Sequence, residues 1–368
     1  MRVMPDTTAV ETRPDDTQEK KMEKNRRHVC VYTHYFPARS ETFIREHVLG
    51  LVRQGYRVTV LAREPGNDIH ADEVAEIDAI GIERLYLGNF TTFSTKLTRL
   101  LNWLKLQHRR LLHPRWGEVS RTPGPWTLRE LLIASKAVQL IARRRFDLVH
   151  VHFGHLAALL QLFSSDLPDF PPMVVTWHGY DVNVKPKQLG KDAYRALFSS
   201  PAWHTVGSGF IARRLVELGA RAAQVERIPM GVDLQRFTYS ERRRKAGDPL
   251  HVLSVGRLEE VKGHTHLIEA VRRLRNEHVA VHLRIAGDGP LMASLQEQIQ
   301  RAGMGDCVEL MGSINASQVA EAMRAADVFA LTGVETSTGK VESQGVVFAE
   351  AQATGLPVVA SRLGGVPE

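Results

Sequence analysis

Glu342 and Glu350 stand in the run Glu342-Ser-Gln-Gly-Val-Val-Phe-Ala-Glu350, two carboxylates with seven residues between them. Gly345 falls where a loop should turn into a helix, which puts Glu342 just before the helix and Glu350 about 1.5 turns inside it. Carboxylates held this way can grip polyhydroxylated groups at two depths, a sugar at one and a ribose at the other. The N–H groups of Gln344, Gly345 and Val346 would form an anion-binding helix start. Acids are common on solvated helices, so the spacing alone says little. The apolar strand before the pair and the glycine turn inside it favour the functional reading.

A second constellation is Gly256-Arg-Leu-Glu-Glu-Val-Lys-Gly263. A strand ends at Gly256, so Arg257 and Lys262 flank a loop at its carboxyl edge, where open α/β sheets bind ligands. Two cations there can neutralise a diphosphate leaving group, although spacing alone reads equally as surface charge. Thr176-Trp-His-Gly-Tyr-Asp181 closes another strand, and His178 in it can donate to a sugar hydroxyl or phosphate, or be structural. His150 and His152 share a strand face and, with His155, raise the question of a metal. No carboxylate or cysteine completes that set, so no metal ligand is expected. The chain also lacks an Asp-x-Asp to hold a divalent ion on a diphosphate, which leaves Arg257, Lys262 and a helix dipole as substitutes.

These residues need a scaffold, and 368 residues suffice for two domains, each with a buried core. Short apolar runs alternate with amphipathic stretches, the signature of β-α units on parallel sheets. Strands are expected at 29–32, 57–61, 148–151, 173–177 and 204–206. A second series follows with strands at 251–255, 281–286, 308–311, 326–331 and 357–360 and helices at 265–274, 291–301 and 346–353. The expected division is a disordered polar lead-in over 1–27, a first Rossmann-like domain over 28–238, a linker over 239–249 and a second domain over 250–368. The sequence stops just after a strand, whereas a parallel strand needs apolar cover on both faces, so the second domain reads as truncated.

The polar lead-in argues against a secretory signal. No window approaches the ~18 apolar residues of a membrane span. Cys30 and Cys307 show neither pairing nor metal spacing, which fits a reducing cytoplasm. A net charge of +7 implies anionic partners without choosing among nucleic acid, anionic lipid and nucleotide diphosphate.

Taken in order, the motifs resemble family 4 of the retaining glycosyltransferases, with the GT-B fold of two facing Rossmann-like domains. The resemblance runs from about residue 28 to the end. Its first-domain elements are Phe36-Pro-Ala-Arg-Ser-Glu-Thr-Phe-Ile44, Phe146-Asp-Leu-Val-His-Val-His152, Thr176-Trp-His-Gly-Tyr-Asp-Val182 and Ile228-Pro-Met-Gly-Val-Asp-Leu-Gln-Arg-Phe237. The second domain adds Gly256-Arg257, Lys262-Gly263, Ala286-Gly-Asp-Gly-Pro290, the paired glutamates and Gly355-Leu-Pro-Val-Val-Ala-Ser361. The Ser-Glu-Thr-Phe-Ile and His-Gly-Tyr-Asp-Val elements further resemble the exopolysaccharide branch, including colanic-acid and amylovoran-type transferases.

The resemblance implies that Arg257 and Lys262 bind the donor diphosphate, Glu342 the donor sugar and Glu350 the ribose. The backbone of Ser343, Gln344, Gly345 and Val346 would meet sugar hydroxyls, and His178 would lie beside the reacting carbon. It implies retaining, metal-independent transfer from a nucleotide sugar to a saccharide or lipid-linked saccharide, with no cofactor and no nucleic-acid partner. Members usually continue past Gly364-Gly-Val-Pro-Glu368 into further strand and helix, and the loop after Val31 is not glycine-rich as it is in many relatives. A nucleotide-sugar epimerase or phosphorylase on the same fold, or an inactive nucleotide-binding fragment, are the alternatives. Residues 96–121 carry seven Lys or Arg and one acid beside a Leu/Trp face. That segment suits either an anionic membrane surface at the inner face, at ~1 kcal/mol per cation, or packing on its own domain.

Overall fold

A computed structural model of the protein describes residues 26–38, 41–66, 71–88, 126–190, 192–245 and 247–368. Most of the lead-in and the whole basic stretch 96–121 lie outside the described residues. The first sheet holds His28–Tyr35 (β1), Arg57–Glu64 (β2), Glu83–Tyr86 (β3), Leu148–His152 (β4), Met173–Trp177 (β5), Trp203–Val206 (β6) and Val225–Arg227 (β7). Its order is β3-β2-β1-β4-β5-β6-β7, with every neighbouring pair parallel. The second holds Leu250–Val255 (β8), Val281–Ala286 (β9), Val308–Gly312 (β10), Val328–Leu331 (β11) and Val358–Ala360 (β12). These are also parallel, in the order β10-β9-β8-β11-β12. Both domains are doubly wound, as the alternating pattern predicts.

The helices of the first domain are Thr42–Arg53 (α1), Ala71–Ala79 (α2), Leu128–Arg144 (α3), Gly154–Ser164 (α4), Tyr180–Asn183 (α5), Lys185–Leu189 (α6), Arg195–Phe198 (α7) and Gly209–Glu217 (α8). Those of the second are His264–Asn276 (α9), Met292–Arg301 (α10), Ala316–Ala325 (α11) and Val346–Ala353 (α12). Strand periodicity explains why helices cover both faces of the sheet. Cys30 and Tyr32 of β1 enter one core with Ile133, Ala137 and Ile141 of α3, while Val29 and Val31 enter another with Ile44, Val48 and Leu49 of α1. Each such fully buried aliphatic contributes about 1.5–3 kcal/mol relative to exposure. A charge at Val31 would therefore break the α1–sheet contact.

Strand order reverses between β1 and β4 and again between β8 and β11, and crevices open outside the carboxyl ends of strands at such switch points. The two crevices face each other. The stretch Tyr239–Pro249 is tied to the second domain by Arg242, whose guanidinium donates to the carbonyls of Met323, Ala326 and Thr354. It thereby serves orphan carbonyls around the ends of α11 and α12. Among the described residues, no helix is long and apolar enough to cross a membrane.

Candidate active site

A cleft of about 1360 Å³ lies between the domains and is lined by loops following β1, β4, β5, β6, β8 and β9 and by the start of α12. On the second-domain side, β8 ends at Val255, and a 3-10 turn at Glu260–Lys262 leads into α9. Gly263 closes that turn in the left-handed region, and its carbonyl accepts from the Thr332 hydroxyl at 2.7 Å. A Cβ at Gly263 would strike the Thr332 carbonyl, so the turn can pack this closely only with glycine. The Lys262 ammonium is thus held 2.5 Å from Glu342 Oε2. Arg257 is half-exposed and pairs with Glu259 at 3.0 Å.

Ser343, Gln344, Gly345 and Val346 lead into α12 along the same wall. Gly345 is left-handed at the N-cap, where a Cβ would meet the Phe348 ring. Two of these side chains do work the sequence did not disclose. Ser343 Oγ donates to the His178 carbonyl at 2.8 Å, and the Gln344 amide exchanges hydrogen bonds with the Met230 backbone at 3.0 and 3.2 Å. Among the described residues no hydrogen bond engages the N–H groups of Gln344, Gly345 and Val346. They remain available to a ligand. Glu350 lines the cleft deeper in, and burial pushes its carboxyl up to about 7, with Glu46 adding to the shift and Arg236 opposing it. Arg236 bridges Glu46 at 3.6 Å and Glu76 at 3.7 Å.

On the first-domain side the loop after β5 is built around the fully buried Asp181. Its carboxylate accepts from the N–H groups of Gly154, His178 and Gly179 at 2.7–3.0 Å. This fixes His178 on the cleft wall, with its ring 4.4 Å from Phe43 and its Nε2 3.0 Å from His152 Nδ1. Burial, with His47 adding, pushes the His178 imidazole down to about 3, so it meets a ligand as a neutral ring.

All of the sequence-predicted site residues therefore line one cleft: His178, Arg257, Lys262, Glu342, Ser343, Gln344, Gly345, Val346 and Glu350. The histidine grouping needs correction. His155 turns to His34, Nε2 to Nε2 at 2.8 Å, while His150 and His152 are joined by His47 from α1. Sequence reasoning also passed over Glu41. It lines the cleft, its Oε2 is buried without a partner, and burial pushes its carboxyl up to about 7. Its position at the start of α1, beside a turn, was the available signal.

Residues 40–236 match the family model for Glycosyltransferase Family 4, and residues 235–368 match that for Glycosyl transferases group 1. The chain is similar to the amylovoran biosynthesis glycosyltransferase AmsK of Erwinia amylovora, 28% identical over 92% of this chain and 84% of that one. It is 31% identical to the GDP-mannose-dependent alpha-(1-6)-phosphatidylinositol monomannoside mannosyltransferase of Mycolicibacterium smegmatis, over 68% of this chain and 67% of that one. In fold it resembles the solved structure of Anabaena Alr3699/HepE in complex with UDP-glucose, with a TM-score of 0.64 and 18% identity over 92% of this chain and 82% of that one.

Proposed function

Since the chain belongs to glycosyltransferase family 4, we propose that it is a retaining transferase acting on a nucleotide sugar. The sugar passes to a saccharide or lipid-linked saccharide acceptor during synthesis of an exopolysaccharide or other cell-surface glycan. The observation that carries this reading is the convergence of two cations, two carboxylates and a helix start on one cleft wall, with His178 facing them. The similarity to AmsK favours the exopolysaccharide setting.

In this reading donor binding parts the Lys262–Glu342 pair. The ammonium turns to the diphosphate beside Arg257, and the carboxylate takes sugar hydroxyls. Glu350 receives the ribose. The bond between the anomeric carbon and the phosphate oxygen breaks, and the acceptor oxygen bonds to the same face of that carbon. The acceptor proton passes to the departing phosphate oxygen, so no protein base is assigned. Once the donor is bound, Arg257, Lys262 and the N–H groups before Glu350 face the growing negative charge on the departing diphosphate. With two cations and a helix start on the diphosphate, a divalent ion is not required there. The location that fits is cytoplasmic, and the basic composition of 96–121 favours the inner face of the membrane.

The test is transfer from a panel of UDP- and GDP-sugars in the presence of EDTA. Arg257→Ala and Glu342→Ala should each slow it about 10²–10³-fold, the usual effect of removing one fixed transition-state contact. Near-normal rates in either variant would remove the role given to that residue. Conversion of donor without acceptor would point instead to an epimerase.

A further inference from the structure

We propose that His47, His150 and His152 form a binding site for one divalent transition-metal ion of the zinc type on the first-domain wall of the cleft. His150 and His152 are two apart on β4 and so project to one face. Their rings lie stacked at 5.0 Å and 12°. α1 lays His47 against both, with ring centroids 4.3 Å from His150 and 5.1 Å from His152. One ligand nitrogen from each lies within 4.8 Å of the other two. His47 Nδ1 and His152 Nε2 are 3.1 Å apart, near the spacing of two imidazoles sharing one ion at ~2.0–2.1 Å.

The donor set selects the ion. Three imidazoles suit zinc, cobalt, nickel or copper, whereas magnesium and calcium take oxygen ligands. The outer nitrogens are also engaged, as they are around metal-bound histidines. His150 Nε2 lies 2.6 Å from Thr176 Oγ1, which in turn lies 2.6 Å from Thr205 Oγ1. His152 Nδ1 lies 3.0 Å from His178 Nε2. All three histidines line the cleft, so an ion has a path in, and a fourth coordination position stays open to water or a hydroxyl. The site is separate from the diphosphate corner on the other domain. An ion there would orient His178 through His152. The sequence reading of no metal ligand rested on a missing third partner, which His47 supplies from more than 100 residues upstream.

The experiment uses the full chain without a histidine tag, stripped by a chelator and dialysed. Co²⁺ titration should give one saturating equivalent with visible d–d absorption, displaced by Zn²⁺, and calorimetry with Zn²⁺ should give the same stoichiometry. His47→Gln and His152→Gln should each weaken uptake at least 10-fold, an effect on the order of that seen when metal sites lose a supporting group. His34→Gln, in the neighbouring pair, should bind as wild type. His47 is only partly buried, so an unchanged thermal melt of His47→Gln separates lost ligation from lost folding. Absence of saturable uptake by the wild type, or equal uptake by a folded His47→Gln variant, overturns the site.

Discussion

Glu350 is the residue at which stability and the proposed ribose contact pull apart. Its carboxyl is pushed up to about 7 by burial, with Glu46 adding and Arg236 opposing. A raised acid pKa means that the folded state holds the proton more tightly than the unfolded chain. Stability therefore falls as pH rises from about 4.5 to about 7. Glu350→Gln keeps the shape and removes the charge. The variant should melt above wild type at pH 8, and the gap should shrink several-fold at pH 5. Each kcal/mol of relief raises the melting temperature by roughly 2–4 °C. An equal gap at both pH values would show that the carboxyl is not perturbed. Lys262 and Glu342 solve the same problem by pairing, since a half-buried cation and carboxylate at 2.5 Å spare each other an unpaired burial. These site residues were legible in sequence because each sits in a loop or helix start adjoining a recognisable strand. His47 was not, because its relation to the cleft comes from packing across the first domain, which periodicity does not encode.

At the scale of elements, Asp181 couples three pieces of chain: the start of α4, the end of β5 and the start of α5. Gly154 admits this junction because the Trp177 ring lies where a Cβ would stand. Asp181→Ala would leave three N–H groups without their acceptor, at about 1–3 kcal/mol each where they stay dry. The variant should lose about 3 kcal/mol or more in urea unfolding at neutral pH, and its transfer rate should drop as His178 loses its fixed position. A loss below about 1 kcal/mol would mean that water replaces the carboxylate and that the junction does not depend on it. The same scale shows where sequence reading stopped. The strands expected at 173–177 and 281–286 occur at those bounds, because buried parallel strands are continuous apolar runs. β3 and β7 were not anticipated: they are short edge strands, and Glu83, Arg84, Glu226 and Arg227 make them polar. α11 was also missed, although its signal was present. Asn315 and Gln318 form a reciprocal capping box that marks a helix start more clearly than the weak apolar pattern after it.

For the molecule as a whole, the seam between the domains sets how the two walls of the cleft stand to one another. Hydrogen bonds across it include Ser208 to the Ser343 carbonyl at 2.7 Å, Ser343 to the His178 carbonyl at 2.8 Å, Gln344 to Met230 and Lys187 to the Thr338 carbonyl at 3.2 Å. Glu368 adds a carboxylate that accepts from Gly209 and Phe210 at the start of α8, at 2.5 and 2.7 Å. Each neutral bond is worth only about 0.5–1.5 kcal/mol net, so the seam can open and close without unfolding either domain. Gly207 is a point where the seam can be probed, because a Cβ there would meet the end of the Gln344 side chain and turn it away. Gly207→Val should displace Gln344 from Met230 and loosen the seam while leaving Arg257, Lys262, Glu342 and Glu350 in place. UDP or GDP affinity should then change less than about 3-fold, whereas transfer falls at least about 10-fold, since misplacing reacting groups by an ångström costs more than weaker binding does. Small-angle scattering should give a larger radius of gyration for the nucleotide-bound variant than for nucleotide-bound wild type. Gly305→Ala, where a Cβ meets open space, should match wild type in all three measurements. If transfer in the Gly207→Val variant falls only in proportion to nucleotide affinity, the seam does not govern catalysis, and the cleft works as a fixed groove.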